Sequence, residues 1–205
     1  RPSRTSLEMA RLVTTGLGDL LPMARSEGRH VSHAIRKLCI QLGHFDDSPL
    51  PKDKSRLEMG SAFEDVMGDA LARRMALSAP GRYIRIGEQE CDGVFGTPDF
   101  VDLHEREVIE VKYTFLSIKH DPEGPKFWKY VKQIQAYDHM LGFDKGRLCI
   151  CHCMGNYKFD KIELCPWCLK IGKEEVGNGP HYHEWVWKWP TQEIEDTWAM
   201  VKAYA

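Results

Sequence analysis

The stretch Gly96–Phe115 reads GTPDFVDLHEREVIEVKYTF, and it sets a charged pair, Glu110 and Lys112, inside the apolar run Val108, Ile109, Val111. Residues two apart on a strand share a face. The spacing therefore points Glu110 and Lys112 the same way while Ile109 and Val111 pack behind them. Pro98 cannot donate to a ladder, which puts Asp99 at a strand edge, bulge or bend. A neighbouring antiparallel strand joined by a short turn would bring Asp99 beside Glu110. Two carboxylates held close repel unless a cation lies between them. Mg²⁺ suits such a place, because it takes one or two carboxylates plus water and phosphate oxygens. A lysine alongside can order water and offset charge developing at phosphorus.

A bare acid–acid–lysine pattern also fits a surface hairpin with a Glu–Lys pair, but three further features favour the catalytic reading. Glu64 falls on the apolar stripe of an expected helix, where an acid needs a partner. Gln133 and Tyr137 lie one helical turn apart and share a face, with Lys129 a turn before them. Last, a helix with an acid, a strand with Pro-Asp, a strand with Glu-x-Lys and a helix with Gln-x-x-x-Tyr follow one another in order.

Outward from this block, Val31, Ala34, Ile35, Leu38 and Leu42 recur at helical spacing, with Gly43 as a stop. Ser55 and Glu58 form a capping-box pattern ahead of Phe63, Val66, Met67, Ala70 and Leu71. Arg82–Cys91, Gly93–Leu103 and Glu107–Thr114 read as three strands with turns at CDG and HERE. A helix lies between Pro125 and Gly142. GRLCICHC and HYHEWVWKW are further strands, and Thr191 is expected to cap a last helix bearing Ile194, Trp198 and Val201. The order predicts an α/β protein with a mixed central sheet flanked by helices. It reads as one domain: a helical region over 1–54, a catalytic core over 55–145, strands with a Cys-rich insertion over 146–190, and a closing helix over 191–205.

The pieces GSAFED (with Glu64), GTPDF (Asp99), EVK (Glu110 and Lys112) and QIQAY (Gln133 and Tyr137) resemble the PD-(D/E)xK nuclease superfamily, in its RecB-like, Cas4-like and phage-exonuclease branch. The likeness covers about Ser55–Gly142, with a softer echo in EWVWKWPTQEIEDTW. It implies a restriction-endonuclease-like core and Mg²⁺- or Mn²⁺-dependent cleavage of DNA phosphodiesters. The ligands would be Glu64, Asp99, Glu110 and the Val111 carbonyl, with Gln133 and Tyr137 supporting Lys112 or the scissile strand. Exonuclease action on DNA ends is the favoured mode. A structure-specific or restriction-type endonuclease, or an inactive nuclease-fold DNA-binding module held by zinc, are the alternatives. Many RecB-like members carry a His in the first motif, where this chain offers Glu64. The resemblance also suggests a bacterial or phage-infected cytoplasm and a recombination or replication partner protein.

Five of the seven cysteines lie between Cys149 and Cys168, which favours reduced thiols on a metal over a disulfide framework. Cys165-Pro-Trp-Cys168 is a knuckle that aims two thiolates at one ion. The expectation is a structural Zn²⁺ on Cys165, Cys168 and Cys153, with the fourth ligand open among His181, Cys151 and His183. A [4Fe–4S] cluster using Cys39 is the competitor that the resemblance offers. Net charge is −2, so any DNA contact must come from local clusters. Lys119, Lys126, Lys129 and Lys132 with Phe127, Trp128 and Tyr130 form one such cluster, suited to single strands or to a solvated helix face with its aromatics in the core. Arg73, Arg74, Arg82 and Arg85 are further phosphate candidates. No apolar run approaches the length of a membrane-spanning helix, and no secretory signal appears at the start.

Overall fold

The structure is a computed structural model that describes residues 26–44, 58, 62–63, 65–66, 70, 83–114, 120–121, 123–153 and 181–205. Its elements in chain order are β1 (Arg29–His30), α1 (Val31–Gln41), β2 (Tyr83–Ile84), β3 (Gln89–Cys91), β4 (Val94–Gly96), β5 (Phe100–Asp102) and β6 (Glu107–Thr114). They continue with α2 (Trp128–Leu141), β7 (Lys145–His152), β8 (His181–Lys188) and α3 (Thr191–Tyr204). Five strands form the main sheet in the order β2-β5-β6-β7-β8, and β1-β4-β3 form a small second sheet. β6 and β7 run parallel, with α2 as the crossover between them, and the other pairs of the main sheet are antiparallel. The protein is thus mixed α/β.

Two strands expected from sequence are each split between the sheets. Arg82–Cys91 breaks into β2 and β3 around Gly87, whose φ is 72°. Gly93–Leu103 breaks into β4 and β5 around Pro98, which has no N–H to keep a ladder going. The break leaves Asp99 just before β5. A second difference is at α3, where Pro190 is the N-cap and Thr191 the first helical residue, with no side-chain cap. A third is Val66, expected on a buried stripe but 66% exposed, while Phe63 of the same helical stretch packs on the Tyr113 ring at 4.1 Å.

Sheet alternation divides the interior in two. Val108, Leu148 and Ile150 face the helices and join the main core with Ile134, Tyr137, Trp198 and Val201. Ile109, Val111, Phe100 and Cys149 form a smaller cluster on the opposite face. Helix α2 lies close to the sheet because Gly146 has no side chain: a Cβ there would meet Ile134 Cγ2 at 2.1 Å and Trp189 at 2.7 Å. At its other end, Gly142 in the left-handed conformation lets the Phe143 N–H return to the Asp138 carbonyl at 2.8 Å. Trp185, Trp187 and Trp189, alternate residues at the end of the sheet, pack on the main core.

Candidate active site

The β5–β6 register sets the site. Phe100 faces Ile109, so one step back places Asp99 opposite Glu110, and a second step places Pro98 opposite Val111. The Asp99 carboxylate crosses to β6. Its Oδ2 accepts from the Val111 N–H at 2.8 Å and from Lys112 Nζ at 3.1 Å. Lys112 Nζ also lies 2.8 Å from Glu110 Oε1. Two acids from adjacent strands therefore converge on one ammonium group. Glu110 is fully buried, and Asp99 and Lys112 are mostly buried. Burying like charges is costly without a cation and hydrogen bonds to hold them.

Pro98 has a second consequence. The N–H and C=O of one residue leave an antiparallel strand on the same side. Because the Val111 N–H points to Asp99, the Val111 C=O points to that side as well. The ladder partner that the register would supply is Pro98, which has no N–H to give it.

Helix α2 closes the site from the core side. Tyr130, Gln133 and Tyr137 lie on one stripe of it. The Gln133 amide donates to Glu110 Oε1 at 2.9 Å and to the Tyr137 hydroxyl at 3.0 Å. Tyr137 is buried, and burial, with the negative charges of Glu110 and Asp99 behind it, pushes its phenol well above the usual tyrosine range. It stays neutral. Its ring rests on β4 where Gly96 leaves room: a Cβ there would meet Tyr137 Cε1 at 2.6 Å. The glycine of GTPDF thus positions the tyrosine of QIQAY.

Tyr130 is a neighbour that sequence reasoning placed only in the aromatic cluster. Its ring centre is 5.7 Å from Lys112 Nζ and 4.5 Å from Lys129 Nζ. The signal was its position three residues before Gln133. Lys132 departs from the expected basic face. Its ammonium turns to α3, donating to Gln135 Oε1 at 2.7 Å and Thr197 Oγ1 at 3.3 Å over the Trp128 ring, and burial lowers its pKa. Arg85 pairs with Asp65 at 3.1 Å and lies over the Phe100 ring. Glu64, Arg73, Arg74, Arg82 and Lys119 lie outside the described residues.

Cys165 and Cys168 also lie outside the described residues. The strands on either side of them constrain the rest of the expected zinc set. Cys151 pairs with Tyr182 and His152 with His181, so Cys151 shares a sheet face with Tyr182, and His181 and His183 share the other with His152. The Cys153 thiol meets the Tyr113 hydroxyl, on the Cys151 side. The three histidines instead cluster among themselves, with ring centres 5.4 Å apart for His152 and His183 and 5.9 Å for His181 and His183. Of the candidates for the fourth ligand, Cys151 therefore lies on the Cys153 side of the sheet, and His181 and His183 on the other. Cys39 is buried in the main core. Glu107, the other fully buried acid of β6, is explained by Arg147, which meets its two oxygens at 3.2 and 3.1 Å and bonds Glu184 at 2.7 Å.

No family model matches the sequence, and no curated protein does. Solved structures of similar shape include an alkaline exonuclease, LHK-Exo, from Laribacter hongkongensis: 14% identity, 86% of this chain and 85% of that chain covered, TM-score 0.48. They also include a phage-related exonuclease from Haemophilus somnus 129PT, at 11% identity, 84% and 79% coverage and TM-score 0.42. A third is SSO0001, at 13% identity, 98% and 86% coverage and TM-score 0.38. Likeness at this level carries no chemistry with it, and the functional reading rests on the site itself.

Proposed function

We propose that this chain is a divalent-metal-dependent DNA nuclease that hydrolyses phosphodiester bonds, with exonuclease action on DNA ends as its mode. The observation that carries the reading is the convergence of Asp99 and Glu110 on Lys112, at 3.1 and 2.8 Å, with Glu110 fully buried. Asp99, drawn in from the end of a neighbouring strand, adds a second carboxylate beside Glu110 that a divalent cation would share.

The donor set is all oxygen, which fits Mg²⁺ or Mn²⁺. Asp99, Glu110 and the Val111 carbonyl would hold the ion, with Glu64 as the third acid expected from sequence. When bound, such an ion supplies positive charge against the phosphate and acidifies water. Lys112 is placed to hold a water in line with the phosphorus and to offset the charge that grows on the phosphate oxygens. Gln133 fixes the Glu110 carboxylate, and Tyr137, kept neutral, anchors Gln133. Tyr130, with Lys129 against its ring, offers a stacking and charged surface beside Lys112 for a DNA strand. The exonuclease mode draws its support from the resemblance of the motifs. A structural Zn²⁺ on Cys165 and Cys168 draws its support from the knuckle spacing.

The test incubates linear and closed circular DNA with the protein and Mg²⁺ or Mn²⁺, beside Lys112→Ala. The expected result is ion-dependent loss of linear DNA, intact circles, and a rate about 10²- to 10⁴-fold lower in the variant. Cut circles would make the enzyme an endonuclease. Equal inertness of both proteins, with DNA still bound, would make it a binding module.

A further inference from the structure

A second group of donor atoms sits on the α3 side of α2, away from the acid–lysine site. Cys91 ends β3, and Asp92 and Gly93 form the two-residue turn into β4, with Cys91 paired to Val94. Both turn residues have positive φ, 51° and 75°, as an Asp-Gly turn of this kind requires. The turn aims Asp92 at α3, where its Oδ2 accepts from the Trp198 indole N–H at 3.0 Å and from Lys202 Nζ at 3.2 Å. The Trp198 ring stacks on His139 of α2, with centres 4.6 Å apart and planes 14° from parallel. His139 Nδ1 lies 3.1 Å from Glu195 Oε1. The result is that Cys91 Sγ, a carboxylate oxygen of Asp92 and a ring nitrogen of His139 all lie within 4.8 Å of one another.

We propose that Cys91, Asp92 and His139 form a binding site for one divalent ion of the zinc class, which pins the β3–β4 turn to α2 and α3. A sulfur, an imidazole nitrogen and a carboxylate oxygen are a zinc-type donor set, and Mg²⁺ has no use for the first two. Bond lengths of about 2.0–2.3 Å in a tetrahedral site put ligand atoms about 3–4 Å apart, which a small closing of these side chains reaches. The groups behind the ligands are those of a built site. Glu195 takes His139 Nδ1, which leaves Nε2 with a lone pair to offer and fixes the ring. Trp198 and Lys202 both address Asp92 Oδ2, which leaves Oδ1. Cys91 carries a free thiol. Three protein ligands leave a fourth position for water or an external group. Asp92 is about half exposed, so the ion can enter from solvent.

The test uses the full chain, stripped with chelator, given Co²⁺ in excess Mg²⁺ and freed of unbound metal. Cobalt reports thiolate ligation by a charge-transfer band in the near ultraviolet, which an all-oxygen site lacks. Cys165→Ser/Cys168→Ser removes the knuckle. In that background we expect one bound cobalt with a thiolate band, lost on adding Cys91→Ser or His139→Gln at unchanged far-ultraviolet circular dichroism. Glu195→Gln, which leaves every ligand in place, should weaken cobalt binding about 10- to 100-fold. A knuckle variant without a thiolate–cobalt band, or a band that survives Cys91→Ser, would overturn the proposal. Neither outcome bears on nuclease activity, which the acid–lysine site decides.

Discussion

Gln133 shows how much of this site depends on single hydrogen bonds. Its amide holds Glu110, a fully buried acid, at 2.9 Å and the Tyr137 hydroxyl at 3.0 Å. Gln133→Ala would remove both contacts. Leaving a buried polar group short of partners costs about 1–3 kcal/mol, so the thermal midpoint should fall by several degrees. We expect kcat to fall about 10- to 100-fold through the loss of a fixed Glu110 rotamer. A kinetic series over Mn²⁺ concentration checks it: an unchanged rate at saturating metal would show that Gln133 serves the fold alone. Sequence pattern found Gln133 and Tyr137 by their four-residue spacing. It could not find that Gly96 makes the space for the Tyr137 ring, because that approach is between distant parts of the chain.

At the scale of elements, the break between β4 and β5 decides where Asp99 goes. Pro98 ends the ladder, and its missing N–H is the one that would otherwise meet the Val111 carbonyl. Pro98→Ala restores that donor and lets β5 lengthen by a residue or two. We expect a thermal midpoint within a few degrees of wild type, because the added ladder bond offsets the about 0.4–1 kcal/mol of chain entropy that a proline removes. The divalent-ion concentration for half-maximal cleavage should rise by about tenfold or more, the Val111 carbonyl being then engaged. An unchanged metal requirement, measured by titrating Mg²⁺, would count against a role for that carbonyl. Of the three strands read from sequence, the first two were right in type and wrong in continuity, and the third is β6 with the bounds expected. Alternation marks extended chain but does not say which sheet it joins.

Across the molecule, the least expected group is Asp138. It is buried, and neither of its oxygens has a hydrogen-bond partner among the described residues. Burial, with Asp144 and Glu107 adding negative charge, pushes its carboxyl up to about 9. The folded protein therefore keeps this proton where the unfolded chain, with an ordinary aspartate, has lost it. Stability from Asp138 is full below about pH 4 and drains away as pH rises towards 9. Asp138→Asn should raise the thermal midpoint at pH 8–9 by several degrees and flatten its alkaline decline. Equal slopes for both proteins between pH 5 and 9, followed by calorimetry, would refute this. The uneven alternation around Asp138 gave no warning, since a polar residue on a helix reads as solvent-facing until its neighbours are known.

Period and punctuation in the sequence were enough to determine the mixed α/β class, the bounds of α1, α2, β6, β7 and β8 to within a few residues, and the shared faces of Glu110 with Lys112 and of Gln133 with Tyr137. These are local properties, set by backbone geometry within one element. The register that puts Asp99 against Val111 and Lys112, the sheet face that parts Cys151 from His181, the turn of Lys132 inward and the meeting of Cys91, Asp92 and His139 were decided by tertiary structure alone. Each depends on which distant surfaces pack together, and that follows from the burial of the whole core rather than from any stretch of chain.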